Sequence, residues 1–205
     1  MGIDQGLAHL GYCFIKAEEN NDEPLQQNQI VFGNYKATLL SYGAIFTKPN
    51  NNEDSSKRLY NLINKCEDLI KENDPQDIAF EHLFYSTPGI GSRKKSASIM
   101  DTNMVTGALF YIIGKNDKNH FTYPPTTVKK SICDSGKANK DDVISKINDL
   151  FDVQCNKTSK DHICDSISIA LTHLKNKDVV KAASSKPKQK TKKKVNSTNL
   201  EEKAS

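Results

Sequence analysis

The order in which two periodicities follow one another along the chain limits its fold more than any other feature. Runs of alternating or continuous apolar residues at 10–16, 30–32, 38–47 and 77–81 read as strands. Residues 57–72 repeat differently. Leu59, Leu62, Ile63, Cys66, Leu69 and Ile70 fall at helical spacing, and Asn73-Asp74-Pro75 ends the run. From there strand and helix alternate. A helix is expected over 96–113, a short strand at "HFTY", a short helix in "TTVKKSIC", and helices over 139–151 and 159–174. Strands that can pair antiparallel come first, and strand–helix units come after. That order predicts an α/β domain whose mixed sheet is covered by helices.

Two acids sit where such a sheet binds ligands. Asp4 follows Ile3 and precedes Gly6, so it ends a very short first strand. Glu81 ends the apolar strand "DIAFE". Ligands in open α/β sheets gather at the carboxyl ends of the strands. If the two strands are neighbours, the carboxylates converge and repel unless a cation neutralises them. Hard oxygen donors select Mg²⁺ or Mn²⁺. On the last helix His162 and Asp165 are three apart and share a face. Asp161 completes a capping pattern with Thr158 and is assigned to the helix start. Each residue alone has an ordinary explanation: a turn Asp, an edge Glu, a helical His. Only Met1 and Gly2 precede Ile3, so either the strand starts upstream of Met1 or it is short and Asp4 weakly anchored.

Charge is unevenly distributed. The chain carries a net +4 with a mean hydropathy of −0.63. Residues 1–180 hold 21 Lys and Arg against 23 Asp and Glu, whereas residues 181–205 hold 8 Lys against 2 Glu. The tail from 179 to 205 is therefore expected to be disordered and suited to nonspecific phosphate contact, leaving 1–178 as the folded domain. No apolar run is long enough to span a bilayer. The five cysteines are scattered and contain no CxxC pair. Free thiols in a reducing compartment are expected, cytoplasmic or its viral or organellar equivalent.

Five stretches then fall into one order: "GIDQGLAHLGY", "YGAIFT…KRLYNLI", "DIAFEHLF", "TVKKSICDSGKANKDDV" and "HICDSISIALTH". Together they resemble the RuvC family of Holliday-junction resolvases over roughly residues 1–175. The resemblance implies an RNase H-like fold with a five-stranded mixed sheet flanked by helices. It implies a homodimeric endonuclease that cuts four-way DNA junctions in paired fashion, with Mg²⁺ or Mn²⁺, two ions per site, and with a branch-migration helicase as a partner. Carried over by position, Asp4, Glu81, His162 and Asp165 are the metal-binding and catalytic set, with His162 where the family often has Asp. Phe84 matches an aromatic that stacks at the junction. Lys129, Lys137 and Lys140, with Arg93, Lys94 and Lys95 in the loop after Glu81, are the expected DNA contacts. Gln5 departs from the family, which often has Pro there. A junction-binding protein with a degraded nuclease, or an RNase H-like nuclease for other branched DNA, are the alternatives.

Overall fold

The computed structural model describes residues 1–21, 23–47, 54–82, 93–156 and 161–184, with the side chains of 93–98 and 178–184 left aside. The elements are β1 (Gly2–Asp4), β2 (His9–Glu19), β3 (Gln29–Phe32), β4 (Tyr35–Phe46), α1 (Ser55–Asn73), β5 (Asp77–Glu81), α2 (Arg93–Lys115), β6 (Asn119–Tyr123), α3 (Pro125–Cys133), α4 (Lys140–Phe151) and α5 (Asp161–Ser184). They build one mixed sheet in the order β3-β4-β2-β1-β5-β6. Its β3, β4, β2 and β1 run antiparallel to their neighbours, while β1, β5 and β6 are parallel. Among the described residues the sheet has six strands rather than the five the resemblance implies. Its two edges, β3 and β6, fall on the stretches 30–32 and "HFTY" that the periodicity reads as strands.

The helix boundaries follow local chemistry. Asp54 accepts the Lys57 amide at 2.9 Å and so caps α1. Asp74 closes that helix in the left-handed region at φ 45°. Pro125 opens α3 at a position where its missing N–H costs nothing. Asn139 and Asp142 cap α4 reciprocally.

Two apolar layers hold the sheet. One face packs Ile3, Leu10, Ile78 and Phe80 against Leu62, Cys66 and Ile70 of α1 and Val105, Leu109 and Ile112 of α2. The other packs Cys13, Ala37 and Leu39 against Ile144 and Ile147 of α4 and Ile163, Ile167 and Leu171 of α5. Helix α5 is buried on nearly all sides from Ile163 to Leu174, which is more than the single apolar stripe expected. Its buried hydroxyls are satisfied within the helix. Ser166, Ser168 and Thr172 donate to the carbonyls of Ile163, Cys164 and Ser168. The helix also continues to Ser184, past the expected end at Leu174. Residues 185–205 lie outside the described residues.

Two glycines let α5 descend onto the sheet. A Cβ on Gly2 would meet the Ser166 carbonyl, and one on Gly11 would meet the His162 carbonyl, each well inside van der Waals contact. Asp4 is directly opposite Gly11 in the β1–β2 register. The close approach therefore brings the first turn of α5 against Asp4.

The cysteine expectation is corrected. Cys155, after α4, pairs with Cys164 in α5 as a disulfide, with Cα atoms 6.3 Å apart. Their separation of nine residues gave no motif to read. Cys13, Cys66 and Cys133 are free.

Candidate active site

Asp4 ends the central strand β1, and Glu81 ends β5, its parallel neighbour. Both therefore point from the same carboxyl edge of the sheet. Gln5 ties the two strand ends together beyond the ladder. Its side-chain amide donates to the Glu81 carbonyl at 2.7 Å, and its side-chain oxygen accepts the Glu81 amide at 3.2 Å. Gln5 is buried, and a proline there could make neither bond.

From α5, His162 and Asp165 come down on this edge. The His162 ring nitrogen Nδ1 lies 2.6 Å from Asp4 Oδ2. An ionised carboxylate only accepts, so this nitrogen carries the proton and donates. Asp165 shares a cavity of about 230 Å³ with Asp4 and Glu81, and Lys129 and Lys140 line the same cavity. Val128 and Ile169 supply an apolar floor.

The electrostatics follow from this crowding. Burial, then the charges of Asp4 and Asp165, pushes the Glu81 carboxyl up to about 7. Burial, then the charge of Asp4, pushes Asp165 up to about 6. Lys140 opposes both. Its ammonium lies 2.6 Å from Asp161 and 3.2 Å from Asp165. Burial works against the Lys140 charge, but the bonds to Asp161 and Asp165 outweigh it and raise its pKa. Its hydrogen bond to the Asp4 carboxylate raises the pKa of His162 against the opposing effect of burial.

A family model for the crossover junction endodeoxyribonuclease RuvC matches residues 1–173. The chain belongs to the RuvC family. It is similar to the RuvC of Prochlorococcus marinus (strain MIT 9301), 28% identical over 175 residues that cover 85% of this chain and 94% of that one. The RuvC of Caldanaerobacter subterraneus subsp. tengcongensis is 27% identical over 173 residues, covering 84% and 90%. In fold it is similar to Thermus thermophilus RuvC, with a TM-score of 0.64 at 21% identity over 87% of this chain and 95% of that one. The T. thermophilus RuvC complex with a Holliday junction substrate gives 0.67 at 20% identity over 87% and 94%. The mixed sheet flanked by helices is thus the RNase H-like fold of RuvC proteins.

Within this RuvC fold, Asp4, Glu81 and Asp165 meet in one cavity. His162 meets them through Asp4 rather than as a further wall of that cavity. Among the described residues, no three His, Cys, Asp or Glu side chains already close into a ligand cage. The donor set still fits a hard divalent cation: three carboxylates, two of them held up to about 7 and about 6 by burial and then by their mutual repulsion. Lys129 lines the cavity as a basic rim residue. Lys137 is exposed on the turn before α4 and is not part of the cavity wall. Lys140, expected at the DNA backbone, also spans two acids of the site. Asp161, assigned to the helix start, is the first residue of α5 and also reaches the site through Lys140. Arg93, Lys94 and Lys95 begin α2 rather than filling a loop, and their side chains, like Phe84, lie outside the described residues.

Proposed function

We propose that this chain resolves four-way DNA junctions by phosphodiester hydrolysis at Asp4, Glu81 and Asp165. The observation behind this reading is one cavity where three carboxylates from β1, β5 and α5 face a rim of lysines. Asp4, Glu81 and Asp165 would hold Mg²⁺, or Mn²⁺ in its place, two ions per site. When bound, the ions activate the attacking water and stabilise the leaving oxygen. His162 donates to Asp4 and fixes the direction of that carboxylate. Gln5 fixes the height of Glu81 relative to Asp4. Lys129, Lys137 and Lys140 draw phosphates toward the acids, an attraction that falls with salt. Loss of the 3′-oxygen leaves 5′-phosphate and 3′-hydroxyl ends that a ligase can join.

Paired cuts need two sites, and α2 offers a surface for a second copy. Met100, Met104 and Tyr111 lie along one side of it at 66%, 37% and 69% exposure, with Gly107 open between them. A two-fold pairing of this apolar stripe would present two identical sites to a two-fold junction. Met100→Lys with Met104→Lys is expected to give a monomer by sedimentation. A branch-migration helicase as partner rests on the family resemblance alone.

A labelled four-way junction tests the function. With Mg²⁺ the chain is expected to introduce paired, ligatable nicks. Asp4→Asn is expected to bind the junction and leave it uncut. Cleavage retained by Asp4→Asn would overturn the site, and wild-type binding without cleavage would leave a junction-binding protein.

A further inference from the structure

Two different chemistries meet at Asp4. One is basic, with Lys129 and Lys140 in the wall of the acidic cavity. The other is aromatic and lies outside that wall, reached through the hydrogen bond between His162 and Asp4. Phe46 is the last residue of β4 and is 54% exposed. It stands opposite His9, the first residue of β2, in the antiparallel register. The two rings meet edge-on with centroids 5.2 Å apart. His9 in turn stacks on His162 at 4.9 Å and 23°. Since His162 bonds Asp4, three rings form a continuous ladder from solvent to the central carboxylate.

The exposed end of this ladder is firmly mounted. Thr47, next to Phe46, donates its amide to the Ala8 carbonyl at 2.9 Å. Its hydroxyl donates to the Leu7 carbonyl. Arg58 donates to the Thr47 carbonyl at 3.3 Å. The strand end is thus tied to the turn after β1 and to α1, while the ring itself is left in water. Core packing does not account for an aromatic held rigid and half uncovered.

A nucleotide has the matching asymmetry. Its phosphate is anionic and its base presents an aromatic face. Only one orientation puts the phosphate toward the lysines and the acids and the base toward Phe46. We propose that Phe46, backed by His9, is a stacking platform for an unpaired base of the cleaved strand next to the scissile phosphate. Every base has a π-face, so the platform holds the strand without reading its sequence. It is separate from the junction-stacking role expected of Phe84. This proposal rests on the endonuclease reading and adds a binding contact to it.

The test uses four-way junctions with 2-aminopurine placed singly at each nucleotide flanking the cut, bound in EDTA so that no cleavage occurs. Wild type is expected to quench one flanking position. Phe46→Ala should abolish that quenching and weaken junction binding about 5- to 150-fold, the range for losing one base–aromatic stack. Phe46→Trp should keep both signals. Phe46→Leu should behave as the alanine variant, because it is apolar but not planar. Matched thermal unfolding of Trp and Leu variants separates stacking from folding. Equal binding by Phe46→Ala and wild type, or full function in Phe46→Leu, would overturn the platform. A wild type that neither binds nor cuts the junction would instead overturn the endonuclease reading.

Discussion

Glu81→Gln is expected to stabilise the metal-free protein, and only above a definite pH. In the folded chain burial and the charges of Asp4 and Asp165 move the Glu81 carboxyl from 4.5 to about 7. The folded state then keeps a proton that the unfolded chain releases near 4.5. Glu81 therefore costs nothing below pH 4.5, and its cost grows as pH rises from 4.5 to 7. Above 7 the cost is complete. A rise from 4.5 to about 7 corresponds to a ceiling of about 3 kcal/mol. Glu81 is only partly buried and shares Asp4 with Asp165, so the coupled site should yield about 1–3 kcal/mol. For a chain of this size that is roughly 2–12 °C in Tm. The assay is thermal unfolding in EDTA at pH 4, 6 and 8, wild type beside Glu81→Gln. The variant's advantage should be absent at pH 4, partial at 6 and full at 8. Mg²⁺ should then stabilise the wild type more than the variant, because the ion neutralises the charge that Gln removes. An advantage independent of pH, or a variant less stable than wild type at pH 8, would refute the crowded-carboxylate argument.

Three further substitutions or probes address what positions the site. Gly11→Ala puts a methyl group into the His162 carbonyl, where backbone must move on one side or the other. It is expected to lower stability by about 1–3 kcal/mol and to reduce cleavage, and an unchanged Tm would show that α5 does not approach so closely. Gln5→Leu removes both bonds to the Glu81 backbone, leaving buried groups unpaired at about 1–3 kcal/mol. Junction cleavage should fall more than junction binding, and equal losses would count against a positioning role. Burial pushes the Cys13 and Cys66 thiols up to about 11 and 12. Iodoacetamide at pH 8 should therefore leave both unlabelled in the native protein, and rapid labelling of either would contradict their burial.

The acids of the site were legible because each ends an element whose period is visible: Asp4 and Glu81 end strands, and Asp165 lies near the start of a helix. Their partners were not legible. Gln5 looked like a departure in a turn, since the backbone it clamps is 76 positions away. Asp161 looked like a capping residue because the pattern around it is local, whereas its partner Lys140 comes from α4, 21 positions upstream. Lys140 was legible only as a phosphate contact, because sequence shows a lysine's charge and not the carboxylates it also meets. The Cys155–Cys164 pair depends on the path between α4 and α5, which no spacing rule encodes. The periodicity showed the elements, but these contacts depend on how the elements are placed against one another, whether 76 positions apart or nine.

The short first strand shows why length was a poor guide to rigidity. Weak anchoring of Asp4 was expected because so few apolar residues precede it. Yet β1 lies inside the sheet, with Gly2 and Ile3 paired to β2 on one side and to β5 on the other. A strand with ladders on both edges is held by its neighbours' length, and β2 spans 11 residues. Ile3 is fully buried against the α1–α2 layer, so one side chain anchors that face. On the opposite face Gly2 offers no side chain, and α5 uses that space to reach Asp4. A longer apolar strand would add core on the first face but would not bring the helix nearer on the second. The brevity of "GID" is thus compatible with a firmly placed carboxylate. Its rigidity comes from two ladders, a single buried isoleucine and the hydrogen bond from His162.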